Sequence, residues 1–417
     1  MSADHPLRPR RVAVIGAGIV GMSAALYLQR DGHEVTVIDP RAPGAGTSFG
    51  NAGGAVYTSC APLALPGIMR QVPGMMLDPL GPMVLRWRYL PRIAPWLIEL
   101  LRASRPERVE AISVALAALN RGAPTAWREL ARQSGTEELL RPVGWLKVYE
   151  TEAGFAATAP ERELMTRRGQ KFELLNADEL RQLEPGLAPI FRHGFFEPEA
   201  DFVANPGRAV ERFAAEFARR GGRILRDEVT GFGLQAGPRR VETLSGGVET
   251  EAIVLAAGAW SRGLARQLGA RVRLDTERGY HLMLPGEGVH LGRPTRHGEQ
   301  GFVLSPMEQG IRIASQVEFA GLDAPPDFRR IRGLLPRAKR MLPGLDTTER
   351  SAWLGFRPSL PDSLPVIGPA PRHPDVYLAF GHGPLGLTQG PVTGRIVADL
   401  VAGRDPGLEL TPYRPGR

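Results

Sequence analysis

The sequence predicts an α/β protein in which a Rossmann-like dinucleotide-binding domain is interleaved with a mixed α+β domain built on an antiparallel sheet. Residues 11–39 read as strand, glycine turn, helix, second strand and terminal acid; residues 249–261, ETEAIVLAAGAWS, repeat an apolar strand followed by small residues; and 271–320 alternate in strand fashion. At 417 residues the chain is too long for one simple core and suits two joined domains. Because strand patterns that fit the dinucleotide sheet recur far apart, its domain is expected to be discontinuous. It takes 8–60, 204–268 and 348–417, leaving 61–203 and 269–347 for the substrate or cap domain.

Val12 to Ile15 are a short apolar run, as in a strand buried on both faces of a parallel sheet. Gly16 permits the tight turn, Gly18 lets backbone approach a pyrophosphate, and Gly21 lets the helix pack on the strand. Ile19 and Val20 open the helix, so the phosphates are expected at its N-terminus. Gly32 sits where the helix should end, and Glu34 to Ile38 form the second strand. Asp39 then lies where a carboxylate accepts ribose hydroxyl protons, with Pro40 and Arg41 beside it. The small, glycine-rich stretch 40–55 follows. Thr47, Ser48 and Asn51 can bond phosphate, and Ala52 and Gly53 let backbone amides approach a planar ring; the alternative is a surface loop.

Prolines at 66, 73, 79, 82, 91 and 95 interrupt apolar stretches of residues 62–105, none long enough to span a membrane. Trp87, Tyr89 and Trp96 interleave with Arg86, Arg88, Arg92 and Arg102, which suits either a bilayer-interface segment or a helical subdomain or protein contact. Residues 107–134 read as one amphipathic helix broken near Pro124, and a strand starts at Gly144. A strong helix over 207–219 leads to a strand and turn that include Val229, assigned here to the cofactor. At 249–261, the backbone of Ala257, Gly258 and Ala259 can approach the dinucleotide from its other side, and Ala257, Gly258 and Trp260 are assigned to the cofactor. Near the C-terminus a second glycine loop, with Gly383, Pro384, Leu385, Gly386, Leu387 and Thr388, opens a second helix expected to start near Gly390. Its positive end suits a flavin, whose reduced form carries negative charge at the N1 and C2 carbonyl edge.

The net charge of +8 is spread among acids, without the clustered basic tract of a nucleic-acid groove, so no nucleic-acid partner is expected. The same bias suits a carboxylate substrate or an anionic membrane surface. Cys60 is the single cysteine, which excludes an internal disulfide and any multi-cysteine metal site and fits a reducing compartment. No metal is expected. The N-terminus shows no signal-peptide pattern, so a cytoplasmic location is expected, with peripheral contact at the inner membrane face as an option.

The motifs AVIGAGIVG with Asp39, GTSFGNAGG, VLAAGAWS, RGYHLML, GFRPSLPDSLPVIG and GHGPLGLTQGPVTG run nearly end to end. On them the chain resembles the D-amino-acid oxidase superfamily of FAD flavoproteins, most of all its D-amino-acid dehydrogenase branch. The resemblance implies FAD, hydride abstraction from the α-carbon of an amino or imino acid such as D-proline or hydroxy-D-proline, and a quinone or protein electron acceptor. It also leaves room for a peroxide-producing oxidase of glycine, sarcosine or D-amino acids, or a flavoprotein subunit that does not turn over alone. Covalently flavinylated relatives use a C-terminal cysteine, which is missing here, so noncovalent FAD is implied. The GxRP motif implies Arg357 as carboxylate clamp, two parallel donors meeting two oxygens. The alternative pairs it with Asp362 or a loop carbonyl. Tyr280 and His281 are placed on the pocket wall, the histidine titrating near neutrality; the alternative is a satisfied structural histidine. His382 is placed beside the ring or bonded to local backbone.

Overall fold

Apolar strands that bury both faces need covering on both sides, and the chain supplies helices on one face and a three-stranded meander on the other. The computed structural model describes residues 8–67, 81, 83–234 and 239–417, so the expected breaks at Pro73, Pro79 and Pro82 lie outside the described residues. The elements that place the site are β1 (Arg11–Ile15), α1 (Ile19–Arg30), β2 (Glu34–Ile38), α2 (Leu90–Ala103), α3 (Pro106–Arg121), α4 (Ala123–Ser134), α5 (Pro206–Arg219), β3 (Arg223–Leu225), β4 (Ala252–Leu255), β5 (Asp275–Leu284), β6 (Phe302–Met307), β7 (Gly310–Phe319), β8 (Ser351–Ser359), β9 (Val366–Ala370), β10 (His373–Phe380) and α6 (Gly386–Val401).

The first sheet runs β3-β2-β1-β4-β10-β9, parallel except for the closing β9–β10 pair. One face packs against α1, α3, α4, α5 and α6 through Met22, Leu116, Trp127, Phe213 and Ile396. The other face, with Ile15, Ile253 and Leu378, meets Val241 and Leu268. The expected break near Pro124 falls at Gly122, and Pro124 sits in the first turn of α4, where a missing N–H costs nothing. One helical expectation shifts. Helix α6 starts at Gly386, a turn before Gly390, with Pro391 inside it. Proline there leaves the carbonyl of Leu387 without its helical donor, and Trp127 Nε1 donates to that carbonyl at 2.8 Å. The α3–α4 pair, expected with the cap, therefore packs in the core beside α1 and α6.

The second sheet runs β8-β5-β7-β6 and continues through Thr295–His297, Trp145–Tyr149, His193–Glu197 and Glu173–Asn176. Its outer face packs Leu282, Leu284 and Ile313 against Ile331, Leu334 and Met341. Strand β8 belongs to this sheet although its segment was expected with the cofactor domain. A backbone bridge between Ser359 and His382 ties the end of β8 to the loop before α6. Among the described residues no helix is long and apolar enough to cross a membrane.

Candidate active site

The three glycines after β1 have distinct surroundings. Gly16 has φ +108°, and a Cβ there would lie 2.4 Å from the carbonyl oxygen of Ala256; a Cβ on Gly21 would lie 1.9 Å from the oxygen of Gly16. Packing alone demands these two. A Cβ on Gly18 would meet nothing closer than Ser48 Oγ at 3.4 Å. The second glycine therefore borders open space at the N-terminus of α1, where it is itself the N-cap residue and has no side chain to offer. That is the cradle a pyrophosphate needs. Ser48 Oγ accepts from Ile19 N at 3.0 Å, drawing the 40–55 loop to the start of the helix, where Val20 is half-buried. Asp39 is held at the end of β2 by the amides of Ala17 and Arg41, each at 2.8 Å, and its remaining lone pairs suit ribose hydroxyls. Pro40 and Arg41 are exposed there, and the Arg41 guanidinium sits 4.1 Å above the Trp260 ring. Val229 and Ala257 both border the cluster around Ile15 and Leu255, and Gly258 turns with φ +54°. The expected cofactor residues thus converge at the C-terminal ends of β1, β2 and β4, where a dinucleotide binds such a sheet.

The loop Thr47–Gly53 is gripped by the second sheet. Thr47 Oγ1 donates to the Phe356 carbonyl at 2.8 Å, and Ser305 Oγ donates to the Ala52 carbonyl at 2.7 Å. Arg312 donates to the carbonyls of Phe49 at 3.0 Å and Asn51 at 2.5 Å. Burial lowers its pKa to about 10. Asn51 Oδ1 accepts from Gly53 N at 2.8 Å, so this side chain shapes the loop. From the far side Thr388 Oγ1 accepts from Val56 N at 3.1 Å. Gly383, Pro384 and Leu385 form a 3-10 turn that runs into Gly386 and Leu387 at the start of α6. The loop is thus held by residues of β6, β7, β8 and the start of α6.

Strand alternation sorts the catalytic candidates. On β5 and β8 the pairs Glu277–Arg357, Gly279–Gly355 and His281–Trp353 lie directly opposite on the face that grips the loop. The Arg357 guanidinium lies across Gly279, where a Cβ would come within 2.4 Å of Nη2 and 2.5 Å of Cζ. Its charge faces buried Glu277, whose pKa burial raises and Arg357 opposes. Asp362 is held by Arg417 at 2.7 Å. Next to it, His281 Nδ1 lies 3.2 Å from the Gly50 carbonyl, and its ring stacks on Trp353 at 5.1 Å and 21°. Burial, with the Arg312 charge adding, pushes its pKa down to about 3. The expectation that it titrates near neutrality is therefore corrected: this imidazole is neutral.

Tyr280 points to the opposite face. Its hydroxyl donates to Glu318 at 2.5 Å and accepts from Asp327 N at 3.2 Å, and its ring meets Phe328 edge-on at 5.4 Å. Neighbouring strand residues cannot share a face, so the structure does not bring Tyr280 to Arg357. His382 is buried in the loop before α6, 2.9 Å from Thr393 Oγ1, and burial pushes its pKa down to about 3. Cys60 packs with Val109, Tyr149 and Phe195, and burial pushes its thiol up to about 11, far from a reactive thiolate. The sequence reading missed Arg312, Ser305, Gly279 and Trp353. The last two lie in the quoted RGYHLML and GFRP neighbourhoods, whereas nothing local to Arg312 or Ser305 announces a loop that lies more than two hundred residues away in sequence.

A family model described as FAD dependent oxidoreductase, abbreviated DAO, matches residues 11–400. The chain belongs to this family. It is 38% identical over 98% of its length to a D-amino-acid oxidase of Bradyrhizobium diazoefficiens, covering 99% of that protein. It is also 33% identical over 96% of its length to a D-amino acid dehydrogenase of Paramagnetospirillum magneticum, covering 97% of that one. In fold it is similar to glycine oxidase from Geobacillus kaustophilus, with TM-score 0.74, 21% identity, and 98% and 99% of the two chains covered. FAD is the cofactor of this DAO-family enzyme, and the cradle at Gly18, the fixed Asp39 carboxylate and the glycine-rich loop fit it.

Proposed function

We propose that this DAO-family flavoenzyme oxidises a D-amino acid or a cyclic imino acid such as D-proline or hydroxy-D-proline, and passes the electrons to a quinone or other non-oxygen acceptor. The observation that carries the reading is the Arg357 guanidinium, laid across Gly279 on the sheet face that also grips the cofactor loop. Bound FAD supplies a two-electron acceptor at N5 for the hydride of Cα. Arg357 binds the substrate carboxylate with two parallel donors, which fixes the rotation of the α-carbon. Glu277 balances the arginine charge before substrate arrives. The Nδ1 proton of His281 holds the Gly50 carbonyl and His382 meets the Thr393 hydroxyl, so one histidine positions loop backbone, the other a buried side chain, and neither need move a proton. The substrate ammonium loses its proton to water on binding, and water hydrolyses the released imine of a primary amine.

The relatives named D-amino acid dehydrogenase support a non-oxygen acceptor. The 38% identical relative named D-amino-acid oxidase supports the second reading, in which oxygen is reduced to peroxide. Membrane docking is part of the first reading: α2 and the turn before it expose Trp87, 70% accessible, and Ile98, 50% accessible, beside the exposed Arg88, Arg92 and Arg102. The test is an anaerobic absorbance scan of the purified yellow protein with D-proline, hydroxy-D-proline, D-alanine, L-proline and sarcosine. Bleaching by the D-compounds followed by slow recolouring in air supports the dehydrogenase. Fast recolouring with stoichiometric peroxide supports the oxidase, and bleaching by none of them refutes both.

A further inference from the structure

Gly279 and Gly355 face each other directly on β5 and β8, so the loop-gripping face of the sheet has a notch two residues wide with no side chain of its own. Two side chains lean into it. The guanidinium of Arg357 covers Gly279, and the indole of Trp353 covers Gly355, where a Cβ would lie 1.9 Å from Cη2. The same indole also covers Gly50 of the cofactor loop, where a Cβ would lie 1.7 Å from Cζ3. Trp353 is only half-buried, stacks on His281, and has Phe49 tilted against it at 6.0 Å. A cationic fork and an aromatic wall thus stand side by side over one pair of glycines, next to the loop that receives the flavin. The neighbouring charges are already engaged: Arg312 with the carbonyls of Phe49 and Asn51, and Glu277 opposite Arg357. His281 contributes only a neutral ring.

We propose that Trp353 is a substrate-contacting residue that sets side-chain specificity, its indole packing against the neutral, apolar side chain of the amino acid whose carboxylate Arg357 binds. The proposal rests on the reading of Arg357 as carboxylate clamp and adds the chemical class of the side chain. An indole face rewards flat or aliphatic carbon, and it offers no partner to a second carboxylate or to a side-chain ammonium once the nearby ions are paired.

The test uses the purified FAD-loaded enzyme and simple carboxylates as probes, with binding read from the perturbation of the flavin absorbance, so that turnover is not needed. Acetate reports the clamp alone; benzoate reports the clamp and the wall. The substitution Trp353→Leu is expected to weaken benzoate by roughly two- to tenfold while leaving acetate within about twofold, and Trp353→Phe to retain most of the benzoate affinity. In turnover, Trp353→Leu should lower kcat/KM for D-phenylalanine relative to D-alanine by a similar factor. Equal weakening of both probes, or of neither, overturns the proposal. Should Trp353→Leu fail to fold, Trp353→Met takes its place with the same expectation, benzoate weakened by roughly two- to tenfold and acetate within about twofold. Failure of the underlying reading looks different: Arg357→Lys would then leave both acetate and benzoate binding unchanged, whatever the Trp353 variants do.

Discussion

Replacing Gly279 by alanine separates stability from catalysis. The new methyl would sit 2.4 Å from Arg357 Nη2, 2.5 Å from Cζ and 2.9 Å from Nη1, distances that real contacts do not tolerate. What must yield is the far end of a flexible side chain, because the backbone at Gly279 has no positive φ and accepts alanine. Displacing the guanidinium to another rotamer costs about 0.5–1.5 kcal/mol, and the lost freedom of the unfolded chain returns about 0.4–1 kcal/mol. The expected net change in stability is within about 1 kcal/mol, a Tm shift of a few degrees at most. The catalytic effect is larger. A guanidinium pushed off Gly279 loses at least one charge-assisted hydrogen bond to the substrate carboxylate, worth about 1.5–3 kcal/mol, so kcat/KM should fall by roughly ten- to a hundredfold. The assay is steady-state kinetics with the best D-amino acid beside a thermal melt followed by flavin fluorescence. A variant that melts like the parent and keeps its full kcat/KM refutes the placement of the carboxylate clamp.

The glycines after β1 should part company in the same way. Gly18→Ala, whose methyl meets only Ser48 Oγ at 3.4 Å, is expected to fold and to lose FAD affinity, read by fluorescence titration of the apoprotein. Gly16→Ala, at φ +108° and 2.4 Å from the Ala256 oxygen, should destabilise the apoprotein itself by about 1–3 kcal/mol or more. Acid should destabilise the fold through His281 and His382. Their folded pKa values, each about 3, lie below the ordinary value of 6.5, so the unfolded chain takes up protons first, and stability is full above about pH 6.5 and lost as pH falls toward 3. Denaturant midpoints across that window should fall less steeply in His382→Gln than in the parent; an identical pH profile would contradict its neutral burial. Trp127→Phe removes the donor to the Leu387 carbonyl in α6 and should cost about 1–3 kcal/mol in chemical denaturation, with the flavin loop loosened and FAD released more readily.

Local rules made much of the cofactor end legible. The apolar run before Gly16, the acid after β2 and the glycine-rich loops each depend on residues close in sequence, and alternation along β5 already separates Tyr280 from His281 by face. That face was misjudged because adjacency in sequence was read as adjacency in space, which a strand forbids. Burial misled the histidine reading, since the pKa of an imidazole is set by whatever covers it, and His281 is covered by Trp353 and Phe49 from two other segments.

By itself the sequence determined the βαβ unit, its cofactor class and the arginine motif, because tight turns, helix starts and buried strands are specified by neighbours within a few residues. Only the tertiary structure decided which side chains meet. It set Arg312 and Ser305 on the carbonyls of the loop, Trp127 on the carbonyl that Pro391 leaves open, and Arg357 and Trp353 over the paired glycines. Those contacts join segments whose order in the chain carries no information about distance; the register of β5 against β8 and the seating of one sheet on the loop of the other fix them.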